Sequence, residues 1–428
     1  MPNFHPVAGH LIALKEATQS LPRNTTIHVT LIVIANPFAA AQWRGFFNPG
    51  FAVGYMTGLA PAIAHEVAVF RTLLRDLAKK GDMFQLEEYT LRLTFDVISH
   101  VTLRQVYWTP FATSFNPIRR YRNIRPLVQK YNSYRMDSYL DEEIDKRFEE
   151  LAGSRQSRPK GSKHLSKSII SLAMDRYLEE VGDDGEPSKK AFKKLAKPQL
   201  RMFLYAGHDT TSSTLLYCFL LLSKHPEVLS KLRSEHDKVF GTDLSTEQYV
   251  QVIEGDPTIM NQIPYTLAVI KEVLRLFPPA GSMRDGSPDF FFTDEERQRY
   301  PTENCHIWTL SLAMHHHPSV FVKLEGFIPE RWLVGPEDDL HPTKGSWRPF
   351  EWGQRSCIGQ ILAQMELKVA LVMTVRTFDI SPAYDEWDRL HPTPGIRSVN
   401  GNRAYQAEMG GGGAHPVDGF PVRITLRK

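Results

Sequence analysis

The strongest constraint on this chain is a ten-residue segment, Phe350-Glu-Trp-Gly-Gln-Arg-Ser-Cys-Ile-Gly359. It sets Cys357 between Gly353 and Gly359, just ahead of an apolar stripe at helical spacing: Ile361, Leu362, Met365, Leu367, Leu371 and Val372. Glycine permits a tight loop and a close backbone approach. A sulfur at a helix N-terminus meets the positive end of the dipole and free N–H groups, which favour the thiolate. A lone cysteine is more often an inert buried thiol. Here the surroundings argue the other way, and the fold must present that sulfur at the head of a helix.

Helical spacing dominates the rest of the chain. It predicts helices over 61–80, 86–103 and 124–151. The first takes Ala64, Val67, Val69, Leu73, Leu74 and Leu77 as its apolar positions; the second takes Leu91, Leu93, Val97, Ile98 and Val101. Pro198 is read as the opening residue of a helix that reaches Lys224, because a missing N–H costs nothing in a first turn. Pro226 opens the next, with Gly241 as its C-cap. A further helix spans 263–276 and stops at Pro278-Pro279. Val29–Ala35 reads as a buried strand and Phe420–Leu426 as a late one, while the basic, Ser-rich run from Gly153 to Lys167 reads as a surface loop. The expected class is mainly α with small β-sheets, in one domain over 1–428.

Composition excludes several functions. A net charge of +3 over 428 residues lacks the basic footprint of a nucleic-acid binder. The three cysteines, Cys218, Cys305 and Cys357, are dispersed and odd in number, so no disulfide partner is expected. No second Cys or His lies at zinc-ligand spacing from Cys357. No signal peptide, transmembrane anchor or G-x-G-x-x-G dinucleotide fingerprint is recognised.

The Cys357 segment matches F-x-x-G-x-R-x-C-x-G and so resembles the haem-binding loop of the cytochrome P450 superfamily. Glu272-Val-Leu-Arg275 is similar to the family's E-x-x-R helix, and Phe327-Ile-Pro-Glu-Arg-Trp332 to the segment that adds a second arginine, Arg331. Ala206-Gly-His-Asp-Thr-Thr211 looks like its oxygen-activation motif. The resemblance implies haem b, with Cys357 as the thiolate that pushes electron density onto iron. It assigns Phe350, Gly353 and Gly359 to the haem loop, and Arg284 and Arg355 to the propionates. Glu272, Arg275 and Arg331 form a structural network. Asp209 and Thr210 become an acid–alcohol pair that delivers protons, with Gly207 letting their helix pass close over the haem. Arg44, after Trp43 but with Ala40 where the family carries tryptophan, is a weaker propionate partner. His315-His-His317 resembles a family landmark in a loop rather than a metal site.

The implied activity is a monooxygenase acting on an apolar small molecule, with a style of sequence similar to fungal members of secondary-metabolite biosynthesis and with electrons from an NADPH-dependent flavoprotein reductase. The reductase is expected at the basic face around Arg348 and Arg355. Leu204, Tyr205, Gly281 to Met283 and the loop near Met409 are expected to line the pocket. Gly410 to Gly413 reads as a flexible loop beside it. The resemblance is to eukaryotic microsomal members, with a shortened N-terminus that lacks part of the N-terminal sheet and the substrate cap. That implies the cytoplasmic side, peripheral at the endoplasmic reticulum. Two alternatives remain: a truncated, inactive chain, and a dioxygen-independent haem-thiolate isomerase or dehydratase.

Overall fold

A computed structural model describes residues 44–103, 125–157, 168–182, 185–242, 245–294, 296–393, 395, 398–408 and 413–427. The expected strand at Val29–Ala35, together with Ala40, Trp43 and Met409, lies outside them. The helices and strands follow in chain order: α1 Val53–Gly58, α2 Ala60–Lys80, β1 Phe84–Gln85, α3 Glu87–Leu103, α4 Arg125–Ser157, α5 Ile169–Val181, α6 Glu186–Lys224, α7 Pro226–Phe240, α8 Thr246–Gly255 and α9 Pro264–Leu276. Then come β2 Ser282–Asp285, β3 Phe291–Thr293, β4 Arg299–Pro301, β5 His306–Thr309, α10 Ser311–His315, α11 Gln360–Thr374, β6 Phe378–Pro382, α12 Tyr384–Leu390, β7 Gln406–Glu408, β8 Ala414–Pro416 and β9 Pro421–Leu426.

Helix α2 shows how local sequence makes these elements. Pro61 sits in its first turn, Lys79 and Lys80 in its last, and Gly81 closes it at φ 70° with its N–H on the Leu77 carbonyl. Its buried stripe is Ile63, Ala64, Val67, Phe70 and Leu74. Val69 and Leu73, expected among the apolar positions, are exposed, because the stripe turns about 100° per residue away from them. Helix α11 is buried nearly all round, as a helix in the middle of a core must be.

Helix α6 is the axis of the molecule and runs for 39 residues. Pro198 lies inside it rather than at its start. A proline removes one helical hydrogen bond, yet the helix continues because its basic N-terminal half zips onto the acidic face of α4. Lys193 meets Asp145 at 2.6 Å, Lys197 meets Asp141 at 2.9 Å, and Arg201 meets Asp137 at 2.7 Å. The numbers rise on one helix as they fall on the other, so the two are antiparallel. The expected loop from Gly153 is likewise corrected: α4 stays helical through Ser157, and 158–167 lie outside the described residues.

Helix α3 crosses α6 closely. A Cβ on Gly207 would stand 2.6 Å from Ile98 Cγ1, so glycine there lets α3 and α6 cross closely. Gly207→Ala is expected to cost about 1–3 kcal/mol through overpacking. A urea titration would show it, and the cost should shrink when Ile98→Ala is added. Equal cost in both backgrounds would remove the contact as the cause.

The strands are short and antiparallel. One sheet has the order β1-β9-β6, with Phe84 opposite Val422 and Ile380 opposite Ile424. Three two-stranded ribbons are β2–β5, β3–β4 and β7–β8.

Candidate active site

The Cys357 loop is built by its own backbone. The Cys357 N–H donates to the Phe350 carbonyl at 2.8 Å, and Ser356 N–H to Gly353 at 3.0 Å. Gly353 has φ 81°, a conformation that suits glycine. Gly359 is the N-cap of α11. Cys357 is an exposed residue by its overall surface, whereas Cys218 is buried. Dense surroundings push the Cys357 thiol up; the N–H groups of Gly359 and Gln360 and the charge of Arg44 act the other way. The helix-terminal donors predicted from sequence are therefore in place, but burial outweighs them.

Arg44 donates to the Ser356 carbonyl at 2.6 Å, beside the cysteine. Arg355 is exposed, and Arg284 lies on β2 opposite Ile307, its guanidinium donating to the Met283 carbonyl. Phe350 packs edge-on against Trp347, centroids 5.9 Å apart, and Trp347 in turn against Trp332.

Behind the loop lies the Glu272–Arg275–Arg331 network, and all three residues are 0% exposed. One Glu272 oxygen accepts from Arg275 at 2.8 Å, Arg331 at 3.0 Å and the Ile328 N–H at 3.2 Å. The other accepts from Arg275 and from Trp332 Nε1, both at 3.0 Å. The remaining guanidinium N–H groups reach the carbonyls of His315, Leu324, Gly326 and Val322.

His315 is a residue that the sequence undervalued. It ends the short helix α10 rather than lying in a loop, and it is buried. Its Nε2 accepts from the Arg348 N–H at 3.0 Å, so Nδ1 carries the proton and donates to the Arg275 carbonyl at 3.0 Å. Burial holds this imidazole down at about 4, in keeping with a neutral ring. It ties α9 to the strand of chain that leads into the cysteine loop. Only the spacing Met-His-x-x-Pro could have hinted at this.

On α6, residues 211–222 are buried, whereas 205–210 are partly open and Ala206 is exposed. This uncovered stretch holds Asp209 and Thr210, but the structure does not pair them. The Thr210 hydroxyl donates to the Ala206 carbonyl at 2.9 Å. Asp209 Oδ2 accepts from the Gly413 N–H, and Oδ1 lies 3.1 Å from His415 Nε2. Neighbours on a helix point about 100° apart, so each side chain finds a separate partner. Burial would raise the Asp209 carboxyl, but His415 and the Gly413 N–H hold it below the ordinary value.

The expected pocket lining is divided. Leu204 is buried in the core, Tyr205 is half exposed, and Gly281 lies where a Cβ would strike the Trp308 ring. Met283 and Trp308 face each other in register across β2–β5, both about half exposed. Gly413 is not slack: a Cβ there would sit 2.9 Å from Asp209 Oδ2. Among the described residues no three His, Cys, Asp or Glu come together to hold a metal, so Cys357 stands as a single protein donor. A soft sulfur on a glycine-flanked loop, arginines at Arg44, Arg284 and Arg355, and an uncovered helix stretch suit an iron macrocycle bearing carboxylates.

Comparison with known proteins agrees with this donor set. The sequence profile of Cytochrome P450 matches residues 17–407. Over 407 residues the chain is 39% identical to cytochrome P450 monooxygenase polC of Polytolypa hystricis, covering 90% of this chain and 71% of that protein. It is 31% identical to cytochrome P450 monooxygenase acrF of Aspergillus aculeatus, covering 93% and 84%. The crystal structure of a cytochrome P450, CYP102L1, superposes with a TM-score of 0.64 at 22% identity, over 89% of this chain and 77% of that one. A profile match across most of the length and two relatives above 30% identity converge on the fold that the cysteine loop already required, and this chain belongs to the cytochrome P450 family.

Proposed function

We propose that this chain is a haem-thiolate monooxygenase, with haem b ligated by Cys357. The net reaction places one oxygen atom of dioxygen into an apolar substrate and releases the other as water, consuming two electrons and two protons. The observation that carries this reading is the placement of Cys357 at the head of α11, with Gly359 and Gln360 N–H groups directed to its sulfur. Bound haem supplies the redox chemistry of dioxygen. Arg284 and Arg355 bind its propionates, and Arg44 positions the Ser356–Cys357 backbone. Phe350, Gly353 and Gly359 shape the loop. Asp209 and Thr210 hold and pass protons at the uncovered stretch of α6. Met283 and Trp308 offer apolar surface to the substrate.

Electrons come from a separate NADPH-dependent flavoprotein reductase docking near Arg348 and Arg355. Likeness to fungal relatives supports a place in secondary-metabolite tailoring. Among the described residues no helix is long and apolar enough to cross a membrane; we place the chain peripherally on the cytoplasmic face of the endoplasmic reticulum.

The carbon-monoxide difference spectrum of the reduced protein tests this. The wild type is expected to show a strongly red-shifted Soret band, and Cys357→Ala to lose it completely. Folded wild type without that band would overturn the reading. One observation favours a second reading, a dioxygen-independent isomerase or dehydratase: Asp209 and Thr210 are each engaged elsewhere. Turnover that survives removal of dioxygen and reductase would select it.

A further inference from the structure

His415 stands on β8, is 1% exposed, and lies between two carboxylates. Its Nε2 is 3.1 Å from Asp209 Oδ1 on α6. Its Nδ1 is 3.0 Å from Oε1 of Glu87, the first residue of α3, a charge contact whose angle falls short of a hydrogen bond. Glu87 is itself 3% exposed. A neutral imidazole has one N–H. Its other nitrogen would then turn a lone pair toward a carboxylate oxygen, which in a buried site is strongly unfavourable. Both contacts are attractive only if the ring carries two protons.

The same cluster pins the β7–β8 ribbon. Gly413 N–H donates to Asp209, the Ser213 hydroxyl donates to the Ala414 carbonyl, and Ala414 N–H donates to Pro279. Ribbon, α3 and α6 thus meet at one ring. The other titratable groups around it are His208, next to Asp209 and held down by burial, and the phenols of Tyr217 and Tyr384, which burial pushes up and which also feel Glu87.

We infer that His415 is the positioning residue for Asp209: as an imidazolium clamped between Glu87 and Asp209, it fixes that carboxylate and locks the β7–β8 ribbon onto α6. This rests on the reading of Asp209 as a proton carrier. Asp209 passes a proton only when its contact with His415 loosens, so His415 sets when the carboxylate is available. His415 itself keeps both ring protons throughout, one toward Asp209 and one toward Glu87.

The test is a ¹³Cε1-histidine NMR titration of the diamagnetic ferrous carbon-monoxide holoenzyme. The His415 resonance is identified by its loss in His415→Gln, or independently by its shift in both carboxylate variants. It is expected to remain imidazolium through neutrality, with a midpoint of about 9. That midpoint should fall by about 1–3 units in Glu87→Gln and in Asp209→Asn. A wild-type midpoint at or below the ordinary ~6.5 overturns the clamp. NADPH oxidation with reductase separates the two ideas. Asp209→Asn is expected to slow it by about 100-fold, and His415→Gln to remove the alkaline limb of its pH profile. A high midpoint with unchanged oxidation in Asp209→Asn would leave the clamp as a ribbon lock and end the role of Asp209 as proton carrier.

Discussion

Glu272→Gln should lower the stability of the folded protein by about 3–5 kcal/mol, the usual cost of removing one partner from a buried ion pair. One carboxylate here accepts five hydrogen bonds, from Arg275, Arg331, Trp332 and the Ile328 backbone. Glutamine keeps one acceptor and turns the other position into a donor facing donors. Two guanidiniums at 0% exposure then lose their counter-ion. Repacking cannot restore it, because their remaining N–H groups already serve carbonyls. The comparison is Lys231→Ala, which breaks a partly exposed pair with Glu330 at 2.6 Å and should cost about 0–1 kcal/mol. Urea midpoints of both variants measure the difference. A Glu272→Gln shift no larger than that of Lys231→Ala would strip the network of its structural role.

The second large effect depends on pH. Burial lowers the His415 pKa, but Asp209 and Glu87 outweigh it and raise the value to about 9, above the ordinary 6.5. A group raised in the folded state lends its stability fully below the unfolded pKa and loses it as pH rises through the folded one. His415 therefore contributes fully below about pH 6.5 and withdraws toward pH 9, a loss on the order of 3 kcal/mol. Asp209, held down in the fold, sets the acid side: its contribution is present above its unfolded pKa and lost as pH falls through the folded one. The clamp is whole only in mildly acid to neutral solution. Thermal melts from pH 6 to pH 10 should show the wild type falling toward His415→Gln as the pH rises. Parallel curves for the two proteins would show that the imidazolium contributes nothing.

Features carried by near neighbours in the chain were legible; those joining distant residues were not. The Phe350–Gly359 loop, the i,i+3 pair Glu272–Arg275 and the cap at Gly241 are local patterns, and each appears where spacing puts it. Asp209 shows the limit. Its motif was readable, but its partner His415 is 206 positions away and no local pattern announces it. The side chain that Gly207 makes room for, Ile98, belongs to another helix and is equally beyond any local pattern. Pro198 is a good first-turn residue by propensity, and tertiary ion pairs to α4 overrode that preference. His315 reads from sequence as part of a loop landmark rather than a metal site, and nothing local shows that it is a buried bridge between two backbone segments.

The sheet order β1-β9-β6 has a consequence for synthesis. Its middle strand is β9, and the Gln85 side chain reaches a carbonyl 333 positions later, at Asp418. Arg44 likewise waits for Ser356, 312 positions on. While the ribosome makes the intervening chain, α2 and α3 can form but the surface that β9 covers stays wet. Loop closure over such separations is slow, and the open apolar surface is prone to self-association. The yield of native protein in a cell is therefore governed by how long the nascent chain is shielded before β9 emerges.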